Sequence, residues 1–246
     1  GIIVDVASGH SRVSEVINFD GDLLIPGLVE LHTDALETHM QPRPGADWPA
    51  TAAIVSHDNQ LAASGITTVL DAIALGALMA TSVRIKRLGE MVESLSSAKN
   101  AGILRADHLL HLRCEVTYEN LPEVFDMLAD HEMLRLVSIM DHTPGQRQFV
   151  DENQYRKYYQ GKFKMSDTEM ADFIDARRID QKTYGDKHRR YIVDTCRTRG
   201  ISLASHDDAT AAHVDEAVAD GITIAEFPTT VEAAKASHEN GIQVMM

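Results

Sequence analysis

Histidines and carboxylates recur at the ends of apolar, strand-like runs, and this recurrence is the clearest chemical signal in the chain. In LLIPGLVELHTD, residues 23–34, an apolar run passes through Pro26-Gly27 and ends with His32 and Asp34 two residues apart. Alternate side chains of a strand share a face, so these two converge while Thr33 turns away. Later runs end in Glu115, in Asp141-His142, in His206-Asp207-Asp208 and in Glu226. Imidazoles with carboxylates make a borderline site for Zn, Fe, Mn or Ni, whereas Ca and Mg prefer all-oxygen shells. Two ions bridged by Glu115 would activate water and hold substrate oxygens. Singly, a strand-end His or Asp reads equally as an exposed loop residue, and His39, His108, His111, His131, His188, His213 and His238 read as surface or structural. The set, not any member, points to metal. No GxSxG, HExxH or Cys–His pattern is present, which disfavours covalent hydrolysis and leaves metal-activated water.

The elements that would position these residues alternate. Strands are predicted over 23–32, 66–73, 108–117, 134–141, 201–205, 222–227 and 242–246. Four Gly-Ile pairs, at 65, 200, 221 and 241, each follow a helical segment and open a strand, as a left-handed helix cap followed by a β-branched residue does. Leu121, Val124, Phe125 and Leu128 repeat at helical spacing behind Asn120, predicting a helix over 120–132. Residues 208–220 and 230–239 read as helices too, with Asp207 or Asp208 capping the first of them. Seven strands alternating with helices imply an α/β architecture, a TIM-like (β/α)8 barrel truncated before its last strand. An open doubly wound sheet is the alternative, without a GxGxxG or Walker pattern to support it. Residues 1–22 read as part of a small β unit, with a tight turn in VINFDGD. Residues 23–246 read as the incomplete barrel, interrupted by an excursion at about 143–200.

Composition narrows the function classes. The 246 residues hold 23 Lys+Arg against 37 Asp+Glu, a net charge of -14, which argues against nucleic acid and anionic membranes as partners. Any anionic substrate then needs metal or a local basic pocket. Ten of the basic residues fall within 151–190, against eight acidic ones, so that segment alone is positive. Insertions in barrels sit at the end where chemistry happens. The two cysteines, Cys114 and Cys196, suit a reducing cytoplasm and no disulfide framework. The longest apolar run, around Ala72 to Ala80, is too short to span a bilayer, and no signal segment opens the chain. A first residue Gly1 and a strand-like end at Val244-Met245-Met246 suggest a fragment.

The strings PGLVELHTD and GITTVLDAI, with single histidines closing later strands, resemble the amidohydrolase superfamily. LHTDALETHMQPRPGADWP, LRCEVT, SIMDHTPGQRQ, LASHDDAT and AEFPTT are similar to its phosphonate-metabolism branch in the carbon-phosphorus lyase pathway, over nearly the whole chain. The resemblance implies a small β-sandwich beside a metal-bearing barrel. It implies hydrolysis of the triphosphate of a ribose 1-methylphosphonate to the 5-phosphate and pyrophosphate, with one or two divalent ions (Zn, Fe or Mn). It also implies His32, Asp34, Glu115, His142 and His206 as ligands, with Glu115 and His206 catalytic. A small phosphorylated sugar is the expected partner, and a homodimer is possible on this reading. Arg43 and Arg147, which follow the first and fourth strands, are expected phosphate contacts, although Arg43 could equally pair with Asp47. The superfamily's usual eighth-strand Asp has no counterpart here. Two other readings stay open: an amidohydrolase acting on a cyclic amide or a base, and an inactive scaffold.

Overall fold

The computed structural model describes residues 3–9, 13–43, 45–76 and 84–246. Seven strands are present: β1 (Leu28–Thr33), β2 (Ile66–Leu75), β3 (Asp107–Glu115), β4 (Leu134–Met140), β5 (Ser202–His206), β6 (Ile224–Glu226) and β7 (Gln243–Met245). They form one sheet in sequential order, and every neighbouring pair is parallel. A doubly wound sheet reverses direction at a switch point; this one does not. Strands step about 4.8 Å apart in a flat sheet, which would separate β1 from β6 by roughly 24 Å. Instead His32 at the end of β1 lies 3.1 Å from Glu226 at the end of β6. The sheet is therefore curled into an open, barrel-like wall, and β1 and β7 do not pair among the described residues.

Helices fill the connections: α1 (Ala35–Met40), α2 (Ala50–Ala63), α3 (Arg84–Asn100), α4 (Leu121–Asp126), α5 (Glu152–Phe163), α6 (Asp167–Asp180), α7 (Asp186–Arg199), α8 (Ala211–Ala219) and α9 (Val231–Glu239). The glycines at 65, 200, 221 and 241 all have positive φ, so the predicted helix-to-strand punctuation is present. Packing of helices on the outer sheet face forms the main core, with Ile54, Leu75, Leu95, Leu112, Phe125, Val137 and Ile192 buried. Inside the curl, Leu70, Leu136 and Ala204 form a second apolar layer with Leu31, Leu109 and Ile224.

Five features differ from expectation. β1 begins at Leu28 rather than 23, where its pairing with β2 at Ile66 starts, and Leu23, Leu24 and Ile25 before it are exposed. No strand or helix forms among the described residues of 1–22, so a β-sandwich is not seen there; the rest of that segment (1, 2 and 10–12) lies outside the described residues. The turn in VINFDGD is present, with Asp22 N donating to Phe19 O and Asp20 and Gly21 at positive φ. α4 ends at Asp126, after which the chain turns. Thr210 and Thr230, not Asp207 or Asp208, cap α8 and α9 with their hydroxyls. The excursion is also narrower than 143–200. α5, α6 and a short 3-10 turn form a satellite core around Phe149, Tyr155, Tyr159, Met170 and Ile174, whereas Ile192, Val193 and Cys196 of α7 join the main core. No helix among the described residues is long and apolar enough to cross a membrane.

Candidate metal centre

A cavity of about 630 Å³ opens at the C-terminal ends of the strands, and His32, Asp34, Glu115, His142 and His206 all line it. All five sit on or just past a strand end, so the parallel sheet delivers them to one mouth. Asp34 lies beyond β1 at the start of α1, and its side chain is 70% exposed. Glu115 is buried: its carboxylate accepts from Thr117 Oγ1 at 2.7 Å and from the His142 backbone N–H at 3.3 Å, and lies 2.6 Å from His142 Nδ1. Burial opposes charge on both partners, but their mutual attraction prevails, lowering the carboxyl and raising the imidazole from their ordinary values. At the end of β2, Gly76 has φ +140, and a Cβ there would stand 2.6 Å from Glu115 Cβ. The glycine thus makes room for the carboxylate.

His206 Nδ1 lies 2.9 Å from Asp207 Oδ2, yet it is buried and makes no hydrogen bond. Donor atoms of His142, His206 and Asp207 fall within 4.8 Å of one another. A buried imidazole nitrogen facing a carboxylate without hydrogen-bond geometry suits a cation bound by both, so these residues fit a transition metal. His32, His111 and Glu226 form a second such group beneath it. There Glu226 takes His32 Nδ1 at 3.1 Å on one oxygen and Ser138 Oγ on the other, and Ser138 also meets His111 Nε2. His111 Nδ1–H donates to Leu31 O at 3.1 Å, and burial lowers this imidazole to about 4. It is neutral at ordinary pH. Asp207 and Phe227, the residues immediately after His206 and Glu226, both line the cavity in the left-handed region, with φ of 57 and 52. Such strain costs about 1–3 kcal/mol per residue and gathers at functional sites.

The two arginines expected to meet phosphate lie elsewhere. Arg147 is buried, with Nη1 paired to Asp208 and Nη2 to Glu216 at 2.7 Å, and it does not line the cavity. Arg43 is exposed, joined through its backbone to Ala46 and not to Asp47. Asp47 is held by Arg87 at 2.6 Å and Gln41 at 2.9 Å. The cavity's own cations are Arg113 and Lys162, beside Gln148, Tyr158 and Tyr159. Arg113 was readable: it stands two residues before Glu115 on one strand and so shares its face. Lys162 belongs to the basic excursion, which the fold brings over the mouth. Asp207 and Glu226 complete the donor groups through contacts between strands distant in sequence.

No family model matches the chain. Over all 246 residues it is 45% identical to the alpha-D-ribose 1-methylphosphonate 5-triphosphate diphosphatase of Escherichia coli (strain K12). It spans 65% of that protein's length.

Proposed function

We propose that the cavity is the active site of a metal-dependent, amidohydrolase-type hydrolase. Its substrate is α-D-ribose 1-methylphosphonate 5-triphosphate, cut to the 5-phosphate and pyrophosphate in phosphonate catabolism. The observation that carries this reading is the convergence of His32, Asp34, Glu115, His142 and His206 on one cavity that also holds Arg113 and Lys162. The similarity to the Escherichia coli diphosphatase supports the choice of substrate. One or two divalent transition-metal ions held by the His and carboxylate groups would supply a Lewis acid for water activation and phosphoryl charge. Around that centre, Arg113 and Lys162 bind the polyphosphate oxygens, the guanidinium through a planar fork. Glu115, fixed by Thr117 and His142, holds or passes the proton of attacking water, with His206 facing it across the site. Tyr158 and Tyr159 on α5 exclude water from the mouth. Two buried free cysteines suit a cytoplasmic setting.

The test is pyrophosphate release from the sugar triphosphate, run beside elemental analysis of wild type and a His142→Ala/His206→Ala variant. One to two equivalents of transition metal, with release lost in the variant, are expected. Turnover of a cyclic amide without pyrophosphate release would favour the other amidohydrolase chemistry, and no metal after reconstitution would favour a scaffold.

A further inference from the structure

A second cluster of titratable side chains lies on the opposite face of the sheet from the cavity. Leu70 packs inside the curl, so Asp71, its neighbour on β2, faces outward, as does His108 on β3. α2 crosses there and contributes His57 and Asp58. All four residues are at most 1% exposed. Asp71 takes His57 Nε2 at 2.8 Å on one oxygen and His108 Nδ1 at 2.7 Å on the other. His108 Nε2 faces Asp58 Oδ1 at 3.4 Å, an oxygen that also accepts the backbone N–H groups of Arg105 and Ala106. Asp58 Oδ2 is buried without a hydrogen bond, with only Arg105 facing it, at 3.7 Å.

Arg105, 3.7 Å from Asp58, offsets that carboxylate. Asp71 faces the two imidazoles, at 2.8 and 2.7 Å, and a divalent cation shared with them would supply the charge that its burial calls for. Donor atoms of His57, Asp71 and His108 already lie within 4.8 Å of one another, and a carboxylate behind a ligating histidine is the usual outer support of such sites. Two nitrogens and an oxygen suit Zn or Co rather than Ca or Mg. His39, which lines a cavity between α1 and α2, has its ring 5.4 Å from that of His57.

We infer that His57, Asp71 and His108 bind a divalent transition-metal ion that ties α2 to β2 and β3, with Asp58 orienting His108. The site is independent of the proposed catalytic centre. The full chain carrying His32→Ala, His142→Ala and His206→Ala, which breaks both donor groups of the cavity but leaves this cluster intact, is stripped with chelator and titrated with Co²⁺ and Zn²⁺. Expected are one tight equivalent, visible Co²⁺ absorption of a low-coordinate nitrogen–oxygen site and a rise in melting temperature on Zn²⁺ binding. All three should vanish when Asp71→Asn is added. No tight equivalent in the cavity-disabled chain, or binding that survives Asp71→Asn, overturns the inference and leaves an imidazolium–carboxylate network. If the triple variant does not fold, wild type and Asp71→Asn alone are compared: a count lower by one supports the site, and an equal count overturns it. Loss of metal from the cavity variant relative to wild type reports on the catalytic reading separately.

Discussion

At the scale of single residues, the two arginines that face different partners should fail differently when replaced. Arg113 lines the cavity, so on the proposed function Arg113→Met would remove charge-assisted bonds to phosphate, each worth about 1.5–3 kcal/mol. We expect KM for the triphosphate to rise about 10- to 100-fold with little change in melting temperature. Arg147 is committed to the buried Asp208 and to Glu216 at the surface. Arg147→Met strands the buried Asp208 carboxylate at about 3–5 kcal/mol. Thermal denaturation should therefore show a fall of about 10 °C at roughly 2–4 °C per kcal/mol, and a KM effect without destabilisation would contradict the assignment. Although Glu226 could offer a ligand oxygen, His32 Nδ1 and Ser138 Oγ occupy both of its oxygens, so on the proposed function it positions His32 rather than binding the ion. Glu226→Gln should weaken metal affinity about 10- to 100-fold, as loss of an outer carboxylate does. An unchanged affinity, read by competition with a chelating dye, would reduce Glu226 to packing.

At the scale of elements, Gly76 and His188 both hold the end of β3 where Glu115 emerges. Gly76→Ala would press a methyl group onto Glu115 in a backbone region that side chains rarely adopt. Activity should drop together with stability, and an active, fully stable variant would show that the strand end can shift. His188, on α7 just after a π-helical turn at Gln181–Gly185, donates Nδ1–H to Val116 O at 3.0 Å. Burial lowers this imidazole below 6.5, against the pull of the carbonyl. The unfolded chain therefore takes up the proton first as pH falls. The contribution of His188 is complete above about 6.5 and is lost on acidification through that value toward the depressed one. Denaturant titrations between pH 7 and 5 should show a shallower loss of stability in His188→Gln than in wild type; equal slopes would remove His188 from the account. Elements of this kind divide what the sequence could show from what it could not. The strands were legible because β-branched runs and Gly-Ile boundaries are local signals, and the convergence of the strand-end His and carboxylate side chains on one cavity followed because parallel strands carry their ends to one face. The partners of Arg147, the curl that brings Glu226 to His32 and the α2 cluster depend on contacts between segments far apart in the chain. Even the cap of α8 went to Thr210 because Asp208 was drawn to Arg147 and Ser205 instead.

At the scale of the whole molecule, the net charge of -14 and the cationic lining of the cavity act on an anionic substrate with opposite signs and different ranges. The field of the full charge set reaches beyond a Debye length only at low salt, about 30 Å at 0.01 M against about 8 Å at 0.15 M. Arg113 and Lys162 act inside the cavity at contact distance, where screening is weak. On the proposed function, approach of the triphosphate would thus be opposed by the distant charges, and docking favoured by the near ones. Raising ionic strength from about 0.01 to 0.15 M should increase kcat/KM for the triphosphate by relieving the repulsion. In Lys162→Gln the value should be lower at both strengths while the upward salt trend persists, because the distant field is unchanged. A neutral leaving-group ester should show no such trend. A fall of kcat/KM with salt would mean that the basic lining governs approach as well as docking, and that the acidic surface lies where the incoming substrate does not pass.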